Sequence, residues 1–159
     1  MRVFDASSMI YAWDNYPIEQ FPGLWEWLAS EMANSSLSMP AIAFDEVRHK
    51  TPDCAQWLSD NQLTLILMSN SILQQALRIK SILGISNDQY STGVGENDLF
   101  IIATALELGC ELVTDENWQN NLPQDLKKYK IPAVCSMQEV NVPWMKFVDY
   151  FKRSGAVFR

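Results

Sequence analysis

Two rhythms alternate along the chain. Short apolar runs stop abruptly at polar or turn-forming residues, and longer stretches repeat apolar residues at helical spacing. RVFD predicts a strand with Asp5 at its end, and SSMIYAWDNYP predicts a helix stopped before Pro17. In FPGLWEWLASEMANS, Leu24, Trp27, Leu28 and Glu31 fall at helical spacing and predict a mainly apolar face with a polar back. SLSMP reads as a second strand closed by Pro40, AIAFDEVRHK as a helix ending at Pro52, and CAQWLSDN as another. TLILM fits a buried strand and a loop run equally well. NSILQQALRIKSILG carries Ile72, Leu73, Leu77 and Ile79 in register, with Gly84 as its stop.

SNDQYSTGVGEN, over 86–97, is rich in turn formers and predicts a loop. DLFIIATALELGC then reads as a buried helix starting near Glu96 or Asn97 and ending at Gly109. ELVT is a strand carrying Asp115 and Glu116 at its carboxyl end, KIPAVC a further strand, and VPWMKFVDYFKRSG a last helix from Pro143 to Gly155. Strands separated by helices predict a three-layer α/β/α sandwich around a mostly parallel sheet. With no repeat or linker visible, residues 1–159 read as one domain.

Two strands that end on acids raise a chemical question. In open parallel sheets, ligands gather beyond the carboxyl ends of the strands. Asp5 and the Asp115/Glu116 pair are expected there. Asp98 opens the helix that leads into the second of these strands, and Glu46 lies in the helix after the SLSMP strand. Carboxylates sharing a pocket raise each other's pKa and cost stability unless a counter-charge is present. Arg48 and Lys50 sit close to Glu46 in sequence, but nothing comparable flanks Asp5, Asp98 or Asp115. Mg²⁺ or Mn²⁺, which favours oxygen ligands, meets that need without histidine or thiolate. Each acid also has a purely structural reading. Asp5 suits a helix cap, Asp98 a helix-dipole acid, Glu46 a surface glutamate, and Asp115 and Glu116 turn positions.

Composition narrows the classes. Hydrophobic residues make up 48% of the 159, which excludes a disordered chain. No apolar run approaches the roughly 18 residues of a membrane span, and no basic leader with a cleavage site is visible, so a cytoplasmic protein without membrane partners is expected. Three widely spaced cysteines and the single His49 fit neither a disulfide framework nor a zinc pattern. The net charge of −7 argues against nucleic acid as a partner until its distribution is read. Residues 1–126 hold five Lys/Arg against 17 Asp/Glu, while residues 127–159 hold seven against two. An acidic body with a basic end points to a polyanion, and Lys127, Lys128 and Lys130 are its candidate contacts; a solvated helix end is the plainer alternative.

The ordered set of acids resembles the PIN-like nuclease superfamily. FDAS is similar to its opening strand–Asp–x–Ser/Thr motif, and ENDLFIIATALELGCELVTDEN to its strongest signature. KIPAVCSM and FKRSGAVFR further resemble a bacterial subgroup of uncharacterised PIN-like proteins, so the likeness spans nearly the whole chain. It implies an α/β/α sandwich whose acids hold Mg²⁺ or Mn²⁺ for cleavage of single-stranded RNA. It also implies Asp5, Glu46 and Asp98 as metal ligands and Ser7 and Thr114 as orienting hydroxyls. The family's fourth acid stands two residues after the threonine. TDE puts Glu116 there with Asp115 one earlier, and both remain candidates. Many relatives, the VapC type, are toxins of toxin–antitoxin pairs and many are dimers, which brings an antitoxin and a second copy into view as partners.

The expected function is therefore a metal-dependent endoribonuclease, with Asp5, Glu46, Asp98 and Glu116 as its catalytic acids. Exposed aromatics such as Trp118 and Trp144 are candidates for stacking on bases. The alternative is a catalytically silent module of the same fold that binds protein or nucleic acid. A haloacid-type phosphatase needs a second Asp where Ser7 stands, and GVG lacks the third glycine and preceding strand of a dinucleotide site.

Overall fold

The computed structural model describes the whole chain, Met1–Arg159. Strand β1 (Arg2–Phe4) leads into helix α1 (Ala6–Asn15), followed by α2 (Pro22–Ala33) and β2 (Leu37–Pro40). Helices α3 (Ala41–Lys50) and α4 (Pro52–Asp60) precede the two-residue β3 (Leu65–Ile66) and α5 (Asn70–Ile82). After a loop come α6 (Glu96–Leu108), β4 (Glu111–Val113), α7 (Ile131–Ser136), β5 (Trp144–Met145) and α8 (Phe147–Ser154). The five strands form one sheet in the order β3-β2-β1-β4-β5, and every pairing is parallel. Helices flank it, as the alternation of elements predicts.

That strand order fixes where ligands can gather. Chain leaving β1 moves towards β2 and β3, whereas chain leaving β4 moves towards β5. The direction therefore reverses between β1 and β4, which opens a crevice beyond their carboxyl ends. Phe4 pairs with Val113, and the Asp5 amide donates to the Val113 carbonyl at 2.8 Å. Asp5 and Thr114 thus stand side by side where the two strands finish.

Strand side chains Val3, Phe4, Leu37, Met39, Leu112 and Val113 are buried in one continuous apolar cluster with the helices. Phe4 meets Tyr150 and Phe147 edge to face, at ring-centroid distances of 5.0 and 6.4 Å, which docks α8 on the central strand. Trp25 stands edge-on to Trp13 and Trp57, and its indole N–H donates to the Tyr16 carbonyl at 2.7 Å.

Four local expectations are corrected. In α2 the buried arc is Leu24, Trp25, Leu28 and Met32, so the face is rotated from the one traced through Trp27 and Glu31; both of those are only half-buried. In α5 the core takes Ile72, Ala76 and Ile79, leaving Leu73 and Leu77 exposed, Leu77 by 55%. KIPAVC is not a strand: Ile131 to Ser136 form α7, with Pro132 in its first turn, where a missing N–H costs nothing. A fully buried apolar run of that length has no period to separate the two structures. The last helix begins at Phe147, not Pro143, because Trp144 and Met145 pair with Leu112 and Val113 as the edge strand.

The loop before α6 is held tightly. The Val94 amide donates to the Tyr129 carbonyl at 2.8 Å, and Gly93 lies so near the 127–129 backbone that a Cβ there would stand 2.4 Å from the Tyr129 carbonyl oxygen. Glycine is required for close approach, and its loop thereby joins the basic segment to the start of α6. Gly93→Ala should lower stability by about 1–3 kcal/mol in chemical denaturation, since two backbones must separate. An unchanged midpoint would contradict this packing.

Candidate metal centre

Asp5 follows β1 directly and is 3% exposed. It stands at the N-cap position of α1, yet its side chain makes no cap bond to that helix. Instead its Oδ2 accepts from the Ser7 hydroxyl at 2.6 Å and the Thr114 hydroxyl at 3.0 Å. Ser7 in turn accepts from the Asp115 amide at 2.9 Å, tying the two strand ends together. Burial raises the pKa of Asp5, and the two hydroxyls oppose the rise. Ser7 and Thr114 thus orient the carboxylate through hydrogen bonds.

Asp98 is the third residue of α6, and its Oδ2 accepts from the Gly95 amide at 2.9 Å. Burial pushes its pKa up to about 7, with the charges of Asp5, Glu116 and Glu46 adding to the rise. Glu116 is held similarly: its Oε2 accepts from the Ile131 amide at 2.9 Å, at the start of α7. Its pKa also rises, first by burial and then by Asp5 and Glu46, against Lys130. Glu46 reaches in from α3; burial raises its pKa, the nearby Asn97 side chain opposes the rise, and the Asp5 charge adds to it.

Asp5, Glu46, Asp98 and Glu116 therefore share one electrostatic neighbourhood, reached from four separate segments. Asp115 does not share it: its charge partner is Lys146, which lowers the pKa that burial raises. Both neighbours lie past the end of β4 at Val113, and Glu116 is the one whose charge partners include Asp5 and Glu46. Lys50 and Lys130 lie within electrostatic reach of Glu46 and Glu116, but no cation compensates Asp5 or Asp98.

Asn97 and Lys146 are participants that sequence order does not reveal, and Lys130, already a candidate phosphate contact, also lies within electrostatic reach of Glu116. Asn97 stands out in the sequence only as Asp98's neighbour, and Lys146 comes to Asp115 across the β4–β5 pairing. Lys127 and Lys128 fall in a 3-10 turn (Leu126–Lys128), with Lys128 and Lys130 exposed and Lys127 half-buried. Gln119 fastens this segment, donating to the Lys128 carbonyl at 3.1 Å and accepting from the Lys130 amide at 2.9 Å.

The donor set suits a hard divalent cation. It is entirely oxygen, Asp98 and Glu116 each spend one carboxylate oxygen on a backbone amide, and the other makes no hydrogen bond within the chain. No three acidic side chains are already drawn to ligand distance around one point, so an ion would have to gather them. Thiolate chemistry has no place here: Cys54 is buried and its thiol is pushed up to about 12, and Cys135 is raised further by burial.

A pH dependence follows. The folded state keeps the Asp98 proton up to about pH 7, whereas the unfolded chain loses it near 3.8. Stability of the metal-free protein should fall as pH rises through that window, because the folded state binds the extra proton there. Asp98→Asn retains an acceptor for Gly95 and removes the penalty. In EDTA the variant should gain on wild type by about 1–2 kcal/mol at pH 8, an amount reduced for solvent screening, with the gain vanishing near pH 4. A pH-independent difference in denaturation midpoints would contradict this.

No curated protein sequence matches the chain. Among solved structures it is similar to one from Rickettsia felis, described as the crystal structure of VapBC2 bound to a DNA fragment from their promoter. The identity is 16%, the match covers 91% of this chain and 97% of the other, and the TM-score is 0.55. That likeness is one of fold, and the fold is PIN-like. Residues 3–158 match the model of a domain of unknown function, DUF4411, and the chain belongs to that family.

Proposed function

We propose that the protein is a Mg²⁺- or Mn²⁺-dependent endoribonuclease that cleaves single-stranded RNA. The observation that carries this reading is the convergence of Asp5, Glu46, Asp98 and Glu116 at the β1/β4 reversal, without cations to balance Asp5 and Asp98. These four side chains would hold the ion, which supplies an activated water and charge neutralisation at the scissile phosphate. The Ser7 and Thr114 hydroxyls fix Asp5 in one orientation, while the amides of Gly95 and Ile131 fix Asp98 and Glu116. Lys127, Lys128 and Lys130 contact the phosphate backbone beside Glu116. The likeness to VapC-type proteins extends the proposal to the toxin of a toxin–antitoxin pair, with an antitoxin as its protein partner.

Labelled single-stranded RNA should be cleaved with Mg²⁺ or Mn²⁺ and not with EDTA. Asp98→Asn and Glu116→Gln should each lose more than about 100-fold, and Thr114→Val, which acts through Asp5, about 10–100-fold. Mn²⁺ should raise the melting temperature of wild type more than that of Asp98→Asn, a readout that does not require turnover. Equal cleavage by wild type and both acid variants would refute the site. No cleavage of varied strands alongside tight binding would favour a silent binding module.

Replacing Lys127, Lys128 and Lys130 together by Glu should weaken RNA binding and flatten its logarithmic salt dependence by about 2, from about 0.7 per lost phosphate contact. An unchanged slope would remove this segment from the RNA path.

A further inference from the structure

Two indoles stand as a pair, of which one, Trp144, packs against the apolar core while the other, Trp118, close in sequence to Glu116, lies outside it. Trp118 lies two residues after Glu116 and is 41% exposed, while Trp144, half-buried, opens the edge strand β5. Their ring planes are within 10° of parallel and their centroids are 6.5 Å apart. That separation lies near the outer end of the range for aromatic pairs, about 4.5–7 Å, so the two rings are aligned without being closely packed. The other aromatic contacts that involve a tryptophan are tilted or edge-on and lie within the apolar cluster.

The surroundings hold these rings in place. The Trp144 indole N–H donates to the Ser136 hydroxyl at 3.1 Å. On either side of Trp118 the neighbours are tied down: Asn117 accepts from the Lys146 ammonium, and Gln119 spans the Lys128 carbonyl and the Lys130 amide. The chain is thus anchored at both flanks while the ring between stays partly open to solvent. An exposed large aromatic on an anchored loop is preorganised for a flat ligand, since little conformational freedom is lost on binding. Lys146 adds a cation at this spot, within electrostatic reach of Asp115.

We propose that Trp118 and Trp144 form a stacking platform for a nucleobase of the single strand, next to the acid cluster, with Lys146 beside its phosphate. The platform reads the π-face of a base and so tolerates many sequences. It rests on the nucleic-acid reading of the site but not on catalysis. A purely structural role, shielding the β5 edge, makes the opposite prediction for binding.

The test compares a short labelled RNA, phosphorothioate-linked to resist cleavage, with an abasic strand of the same length and charge, by fluorescence anisotropy in Mg²⁺. Wild type should prefer the strand carrying bases, and its tryptophan emission should be quenched on binding. Trp118→Ala, with an unchanged melting temperature, should reduce that preference about tenfold, and Trp118→Phe should retain most of it. A preference untouched in Trp118→Ala, or no binding of either strand, would overturn the platform. Displacement of the strand by adenosine monophosphate at equal concentration would also overturn it, marking a mononucleotide site. Cleavage without base preference would sink the platform and leave the nuclease standing; base preference without cleavage would do the reverse.

Discussion

Burial of carboxylates at the β1/β4 reversal, with their mutual repulsion added to it, is the constraint on which the rest of this structure turns. Parallel strands deliver their ends to one side of the sheet, and the reversal leaves that side uncovered by a crossover. Asp5 is nearly inaccessible there, and Asp98 is partly removed from water with no basic side chain to balance it. Such an arrangement costs folding free energy in the metal-free chain. In the proposed function a divalent cation would offset that cost.

The scaffold holds each acid by a different device. Hydroxyls orient Asp5, a helix N-terminus holds Asp98, and a second helix N-terminus holds Glu116. For Asp98 and Glu116, the structural role and the proposed chemical role use different oxygens of one carboxylate. Capping and metal binding are therefore compatible readings of these residues rather than rivals. The same economy links the basic segment to the acids: Glu116 accepts from the amide next to Lys130, and Gly93 seats the loop before Asp98 on the 127–129 backbone.

Much of this is legible in the sequence. Asp5 after RVF and Glu116 after ELVT are readable as strand-end acids, because a short apolar run that stops on a charge marks a strand leaving the core. The separation of Asp115 from Glu116 is not readable, since it depends on Lys146 arriving through the β5 edge pairing and on α7 receiving Glu116. The KIPAVC run misleads for a related reason: Ile131 to Cys135 are buried on all sides, and uniform burial erases the period that distinguishes helix from strand. Leu73 and Leu77 read as core because α5 has a wide apolar arc, of which only Ile72, Ala76 and Ile79 are buried. Positions set by local pattern are visible in the sequence; those decided by long-range contacts are not.

The central claim is that Asp5, Glu46, Asp98 and Glu116 bind one divalent site together. Anomalous scattering from crystals soaked in Mn²⁺ tests this most directly. A manganese peak is predicted beyond the carboxyl ends of β1 and β4, enclosed by those four side chains. A crystal that binds manganese only elsewhere, for instance beside Asp115 and clear of Asp5 and Asp98, would contradict it.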